Sequence, residues 1–223
     1  MNRFVLALLL VSTPAYASEE QINAAFRTAF GVKKDEAVLK KQGAQKETIK
    51  YTPGDLIGAP FGLVLLSPGE VDQATHANKG KLAIFYLTQS GKAYTVSKKF
   101  VPAIEAGSFG KIVDWSVSKS FGDLPILTVN GASNWQGVQC STVTMVELQP
   151  DGPKTLATVP LTYDNSAAGG SDVSRSSGRI ENIKPGKGFD VVYIGTKKFT
   201  DHYVRDSNAY VLAAGAKSRM QTC

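Results

Sequence analysis

Apolar residues recur at helical spacing near the start of the chain and at strand spacing further on. Ile22, Ala25, Phe26, Ala29 and Phe30 fall on one stripe of a 3.6-residue period, which predicts an amphipathic helix. Ser18 stands at its N-cap, Gln21 three residues on completes a capping box, and Gly31 supplies a stop. Residues 35–41 are expected to add a second short helical turn, making residues 18–50 an N-terminal helical segment. Its apolar stripe is expected to pack onto the body of the protein.

From about residue 60 the pattern changes to β. Residues 61–66 form a short apolar run, and residues 82–88 and 93–97 flank Gln89-Ser90-Gly91-Lys92, a hairpin signal with Gly where positive φ is needed. Residues 112–118 alternate strictly, with Val113, Trp115 and Val117 set against Ile112, Asp114, Ser116 and Ser118. Runs at 124–130, 140–148 and 154–161 follow, punctuated by Gly/Asn and Pro-Asp-Gly-Pro turns. Further runs lie at 179–184, 188–195, 201–205 and 209–213. No helical pattern intervenes, so the pairing is antiparallel.

Residues 111–161 and 178–214 each read as four short strands joined by tight turns, and 60–100 as a weaker version. The predicted fold is therefore mainly β: successive four-stranded antiparallel meanders, as an open sandwich or a propeller-like fragment, behind a short N-terminal helical segment. Three meanders are too few to close a propeller ring, which takes about four to eight blades. Residues 51–223 are read as a single β-rich domain. Its one low-complexity stretch, residues 163–178, is rich in Ser, Gly, Asp and Asn and reads as a flexible loop.

The first seventeen residues add an address. Arg3, the apolar run 4–11 and Ala15-Tyr16-Ala17 have the layout of a signal peptide (1–17), cleaved before Ser18. The run is well short of the roughly 20 apolar residues a spanning helix needs, so no membrane span is expected after cleavage. The chain is then periplasmic or secreted. That compartment favours a bond between its two cysteines, Cys140 and Cys223. The bond would close a loop of about 80 residues, worth about 4 kcal/mol in the chain-entropy model.

Charge narrows the partners. The formal net charge is +6, one unit of it in Arg3. Basic residues are scattered as pairs (Lys33-Lys34, Lys40-Lys41, Lys98-Lys99, Lys197-Lys198), unlike the clustered stripe of a nucleic-acid binder. A protein or an envelope polysaccharide is the expected partner, and nucleic acid is not.

Motifs for catalysis are missing. His76 and His202 are the only histidines, and neither sits in a metal-ligand spacing, so no metal or cofactor is assigned. Asp201 adjoins His202, but neighbours on a strand point to opposite faces. No G-x-S-x-G elbow, G-x-G-x-x-G or P-loop occurs, and no catalytic residue is assigned. The most distinctive local feature is the stretch 130–137, read as a loop between two strands. In it Trp135 offers an apolar face and an N–H, flanked by the amides of Asn134 and Gln136, a chemistry suited to sugar or peptide recognition. Trp115, inside a strand, is expected in the core.

These features point to an exported non-enzymatic binding protein, of which an inhibitor or immunity-type role is one form. A secreted hydrolase with a site assembled from distant loops, and a structural domain of an envelope assembly, are the alternatives.

Overall fold

The computed structural model describes residues 17–41, 46–214 and 216–223. The proposed leader lies outside these residues except for Ala17. Helix α1 (Glu19–Phe30) begins as its capping box dictates: Gln21 N donates to Ser18 Oγ at 3.3 Å, and Ser18 N donates to Gln21 Oε1 at 2.8 Å. It ends at Gly31, whose φ of 67° is left-handed and costs a residue without Cβ little.

The predicted helical segment 18–50 is shorter than expected. Residues 35–41 do not form a helical turn. Strand β1 (Ala37–Lys41) pairs antiparallel with β2 (Glu47–Tyr51), in register Ala37↔Tyr51 to Lys41↔Glu47. The cause is a two-residue period too short to stand out in sequence: Ile49 and Tyr51 are buried while Lys50 between them is exposed. Among the described residues, β1 and β2 join β3 (Asp55–Ala59), β4 (Gly62–Val71), β5 (Gly80–Ser90) and β6 (Ala93–Ala106) in one sheet. Its order is β1-β2-β4-β5-β6, with β3 pairing β4 beyond β2, and it curls into a half-barrel.

Strands β4 and β5 are buried on both faces, which is why LAIFYL reads as an unbroken apolar run. Leu65, Ala83, Phe85 and Leu87 face α1, where Phe26 and Phe30 fill the concave side. Phe30 packs its ring 5.2 Å from Tyr51 and 4.8 Å from Phe85. Val64, Leu66, Leu82, Ile84 and Tyr86 face the other way, onto a second sheet.

The second sheet is a meander in sequence order: β7 (Asp114–Ser118), β8 (Ile126–Trp135), β9 (Val138–Gln149), β10 (Gly152–Asp164), β11 (Arg175–Lys184), β12 (Gly188–Gly195), β13 (Phe199–Asp206) and β14 (Ala209–Leu212). The two groups of four read from the sequence are β7–β10 and β11–β14. A short ladder, Thr162↔Ser177 to Asp164↔Arg175, fuses them. The predicted loop 163–178 thus narrows to 165–174, because its two ends pair. Asn165 spans that turn, donating to Asp172 O at 3.0 Å and accepting from Ser174 N at 2.7 Å. Beyond the fusion the sheet curls, bringing β14 against β10 around a core of Phe189, Val191, Tyr193, Tyr203, Tyr210 and Met145. The tyrosines of the last meander, Tyr193, Tyr203 and Tyr210, line its packed face.

Candidate binding cleft

The face that β8 and β9 turn toward the first sheet changes character along its length. Leu127, Val129, Val146 and Leu148 are sealed in the inter-sheet core. Two residues further along each strand the same face carries Gly131, Ser133 and Trp135 on β8, and Thr144, Thr142 and Cys140 on β9. Thr158 and Pro160 of β10 continue it, opposite Thr144 and Thr142. Here the sheets part and leave a cleft of about 510 Å³, walled on the other side by β6 residues Ala103 to Ala106 and by Gly107.

The far wall is the end of the chain. The Sγ atoms of Cys140 and Cys223 are 2.00 Å apart, and the bond sets Gln221 to Cys223 along the cleft. The tail has further anchors: Met220 is buried in the core of the curled half, Ser218 Oγ donates to the buried carboxylate of Asp201, and Arg219 lies over the Phe199 ring.

At the mouth, beyond Ser133 and outside the lining itself, Trp135 stacks on His76 with ring centroids 4.8 Å apart and planes tilted by 33°. His76 comes from the β4–β5 connection, so the pair bridges the two sheets. Asn78 fixes that connection by accepting from Thr75 N and Thr75 Oγ1, both at 2.9 Å, and from Gly110 N through its carbonyl at 2.8 Å. Phe109, 60% exposed, completes an aromatic edge 6.4 Å from His76. Trp135 itself remains 57% exposed.

The sequence loop 130–137 is instead the end of a hairpin. Pairing runs through Trp135↔Val138, and only Gln136 and Gly137 turn, with φ of 48° and 80°. Both positive φ values suit the right-handed twist of a hairpin. Gly137 also has no room for a Cβ, which would stand 2.3 Å from Ala167 O. Strand alternation therefore separates the predicted trio. Trp135 shares the cleft face, Asn134 points to the opposite one, and Gln136 sits in the turn.

Side-chain charge at the cleft is balanced. Lys79 and Glu105 both line it, and Glu105 lies 3.0 Å from Lys81 Nζ, which is buried and also 3.4 Å from Glu47. The remaining polar floor is hydroxyl: Ser133, Thr142 and Thr155, with Ser141 and Thr162 bonded to each other at 2.7 Å and Thr144 and Thr158 at 3.5 Å.

No family model, curated protein or solved structure matches this chain. What the cleft can do follows from its own side chains. Both histidines lie outside its lining, as does Trp135, next on that face of β8 after Ser133. His202 Nδ1 stands 2.7 Å from Oδ1 of Asp190, its cross-strand neighbour on β12, and donates to it because an ionised carboxylate only accepts. Asn182 donates to the other oxygen at 2.8 Å, and the two donors hold the Asp190 carboxyl below its ordinary pKa. Among the described residues neither histidine is hydrogen-bonded to a serine or threonine hydroxyl, and no three potential ligands converge on a metal position. Trp115 is half-buried against the inter-sheet core and donates Nε1–H to Asp55 at 2.7 Å, tying the sheets together. No helix among the described residues is long and apolar enough to cross a membrane.

Proposed function

We propose that the protein is an exported binding module of the periplasm or extracellular space, and that the inter-sheet cleft with its Trp135–His76 mouth is the surface that engages an envelope component or a protein partner. One observation carries this: an indole more than half exposed, fixed on an imidazole from the other sheet at the opening of a ligand-sized cleft. A fixed, solvent-facing aromatic beside a cleft is the anatomy of a binding hot spot. Export is supported by the Cys140–Cys223 bond, which suits an oxidising compartment, and by a capping box that starts helix α1 at the proposed cleavage point.

The Asp190–His202 pair is the feature closest to hydrolase chemistry. It lies on an exposed sheet face away from the cleft, with Asn182 rather than a nucleophile completing its hydrogen bonds. Binding is the better supported function.

The test is cosedimentation with an isolated cell-envelope fraction, comparing wild type with Trp135→Ala after equal thermal melts show both folded. The wild type should sediment, and the variant should bind at least about tenfold more weakly, as for an aromatic hot spot. Equal binding by the two would refute the assignment of the cleft.

A further inference from the structure

We infer that the cleft takes an uncharged oligosaccharide, an inference that rests on the binding function proposed above. Three observations narrow the ligand. The first is the floor. It is the face of the paired strands β8, β9 and β10, whose backbone groups are spent in the ladders. A ligand lying on that floor meets side chains, while the edge of β6 at Ala103 to Ala106 stands on the opposite wall. An extended peptide gains affinity by adding to a strand edge and seating alternate side chains in apolar pockets, so it would engage β6 and leave the hydroxyl floor unused.

The second observation is what those side chains are. Thr142, Thr144 and Thr158 present hydroxyls across adjacent strands, with Ser133 beside them and Gly131 giving clearance. Each hydroxyl offers one donor and two acceptors whose proton rotates to suit. Sugar hydroxyls have the same dual character, so a row of them can be met without a fixed donor or acceptor pattern. Gly131 matters because a Cβ there would stand 3.2 Å from Thr142 Oγ1 and crowd the floor.

The third is charge and shape at the rim. Among the lining side chains Lys79 and Glu105 contribute one charge of each sign, and Glu105 is already paired with Lys81. Nothing in that balance favours an anionic or a cationic ligand. Trp135 extends the same face beyond Ser133 and offers a flat apolar surface on which the C–H face of a pyranose can stack. The volume of about 510 Å³ is in the range that holds a small ligand rather than a folded partner.

The experiment titrates the mature chain with maltotetraose, cellotetraose and chitotetraose, with an anionic tetragalacturonate, and with an uncharged extended heptapeptide. Tryptophan emission and calorimetry give the readouts. At least one neutral tetrasaccharide should bind. The double variant Thr142→Val with Thr144→Val keeps shape and removes the hydroxyls. It should melt like the wild type and bind about tenfold more weakly, since cleft hydrogen bonds are lost. Trp135→Phe should lose affinity as well. Binding of a neutral sugar that ignores the double variant would overturn the assignment of the floor. Binding of only the anionic sugar or the peptide, or of no probe, would overturn the ligand class. In that last case, Trp135-dependent envelope cosedimentation would still uphold the binding module, and its absence would sink both.

Discussion

Replacing Cys140 and Cys223 by serine removes the link that closes the cleft wall, and the structure sets the size of the effect. The bond spans a sequence separation of 83 residues. Loop-closure entropy in the unfolded chain then gives about 4.5 kcal/mol, a large share of the roughly 5–15 kcal/mol that holds a domain folded. How much of it is observed depends on the tail in the native state. If the tail swung free, the native state would gain freedom too, and the loss would shrink. Met220 in its core, Ser218 on Asp201 and Arg219 on Phe199 argue against that. Burying the Met220 side chain contributes about 1.5–3 kcal/mol, and a hydrogen bond to a carboxylate about the same. The tail should stay docked and nearly the whole entropic effect should appear. Guanidinium unfolding of the double serine variant should therefore give a stability lower by about 3–4 kcal/mol, with the steeper denaturant dependence of a more expanded unfolded chain. Trypsin should still spare Lys217 and Arg219 under native conditions. A loss below about 1 kcal/mol, or rapid cleavage within the tail, would refute the reasoning.

Two further predictions test the parts that hold the cleft. Phe26→Ala empties a fully buried position between α1 and the half-barrel; it should cost about 3–5 kcal/mol in urea unfolding, and a near-neutral result would mean that α1 is an appendage. Asp190 has a folded pKa lowered by Asn182 and His202, so its contribution is present above the unfolded value of about 3.9 and fades as pH falls through the folded one. The stability gap between wild type and Asp190→Asn should accordingly narrow from pH 7 to pH 3, and a gap that held constant would show that the pair contributes nothing.

Local signals carried most of the fold. The capping box at Ser18 and Gln21 and the stop at Gly31 act within a few residues, so helix α1 could be read directly. The strands from β4 onward showed in alternation and turn residues, and their grouping into fours survives as β7–β10 and β11–β14. The β1–β2 pair escaped because five-residue strands carry too few alternations to compete with a nearby helical stripe. The site was less visible for a different reason. Trp135 stood out as an unusual residue in a Gly-bounded stretch, but its partner His76 lies in another connection and meets it only through the packing of two sheets. Asp190 and His202 are likewise neighbours only through the β12–β13 register, whereas the adjacent Asp201 points into the core. Residues 140–148 showed only as a strand run, and the role of their polar half (STVT, 141–144) as a cleft floor required knowing where the first sheet stops covering it.

The cleft claim is tested most directly by following the two indole N–H resonances as neutral tetrasaccharide is added. Trp115 is half-buried on the inter-sheet core and bonded to Asp55, so it serves as an internal control. The indole of Trp135 and the amides of Thr142 and Thr144 should shift in a saturable manner while the Trp115 indole stays in place. A Trp135 signal that does not move, or shifts centred on the Asp190–His202 face, would contradict the account.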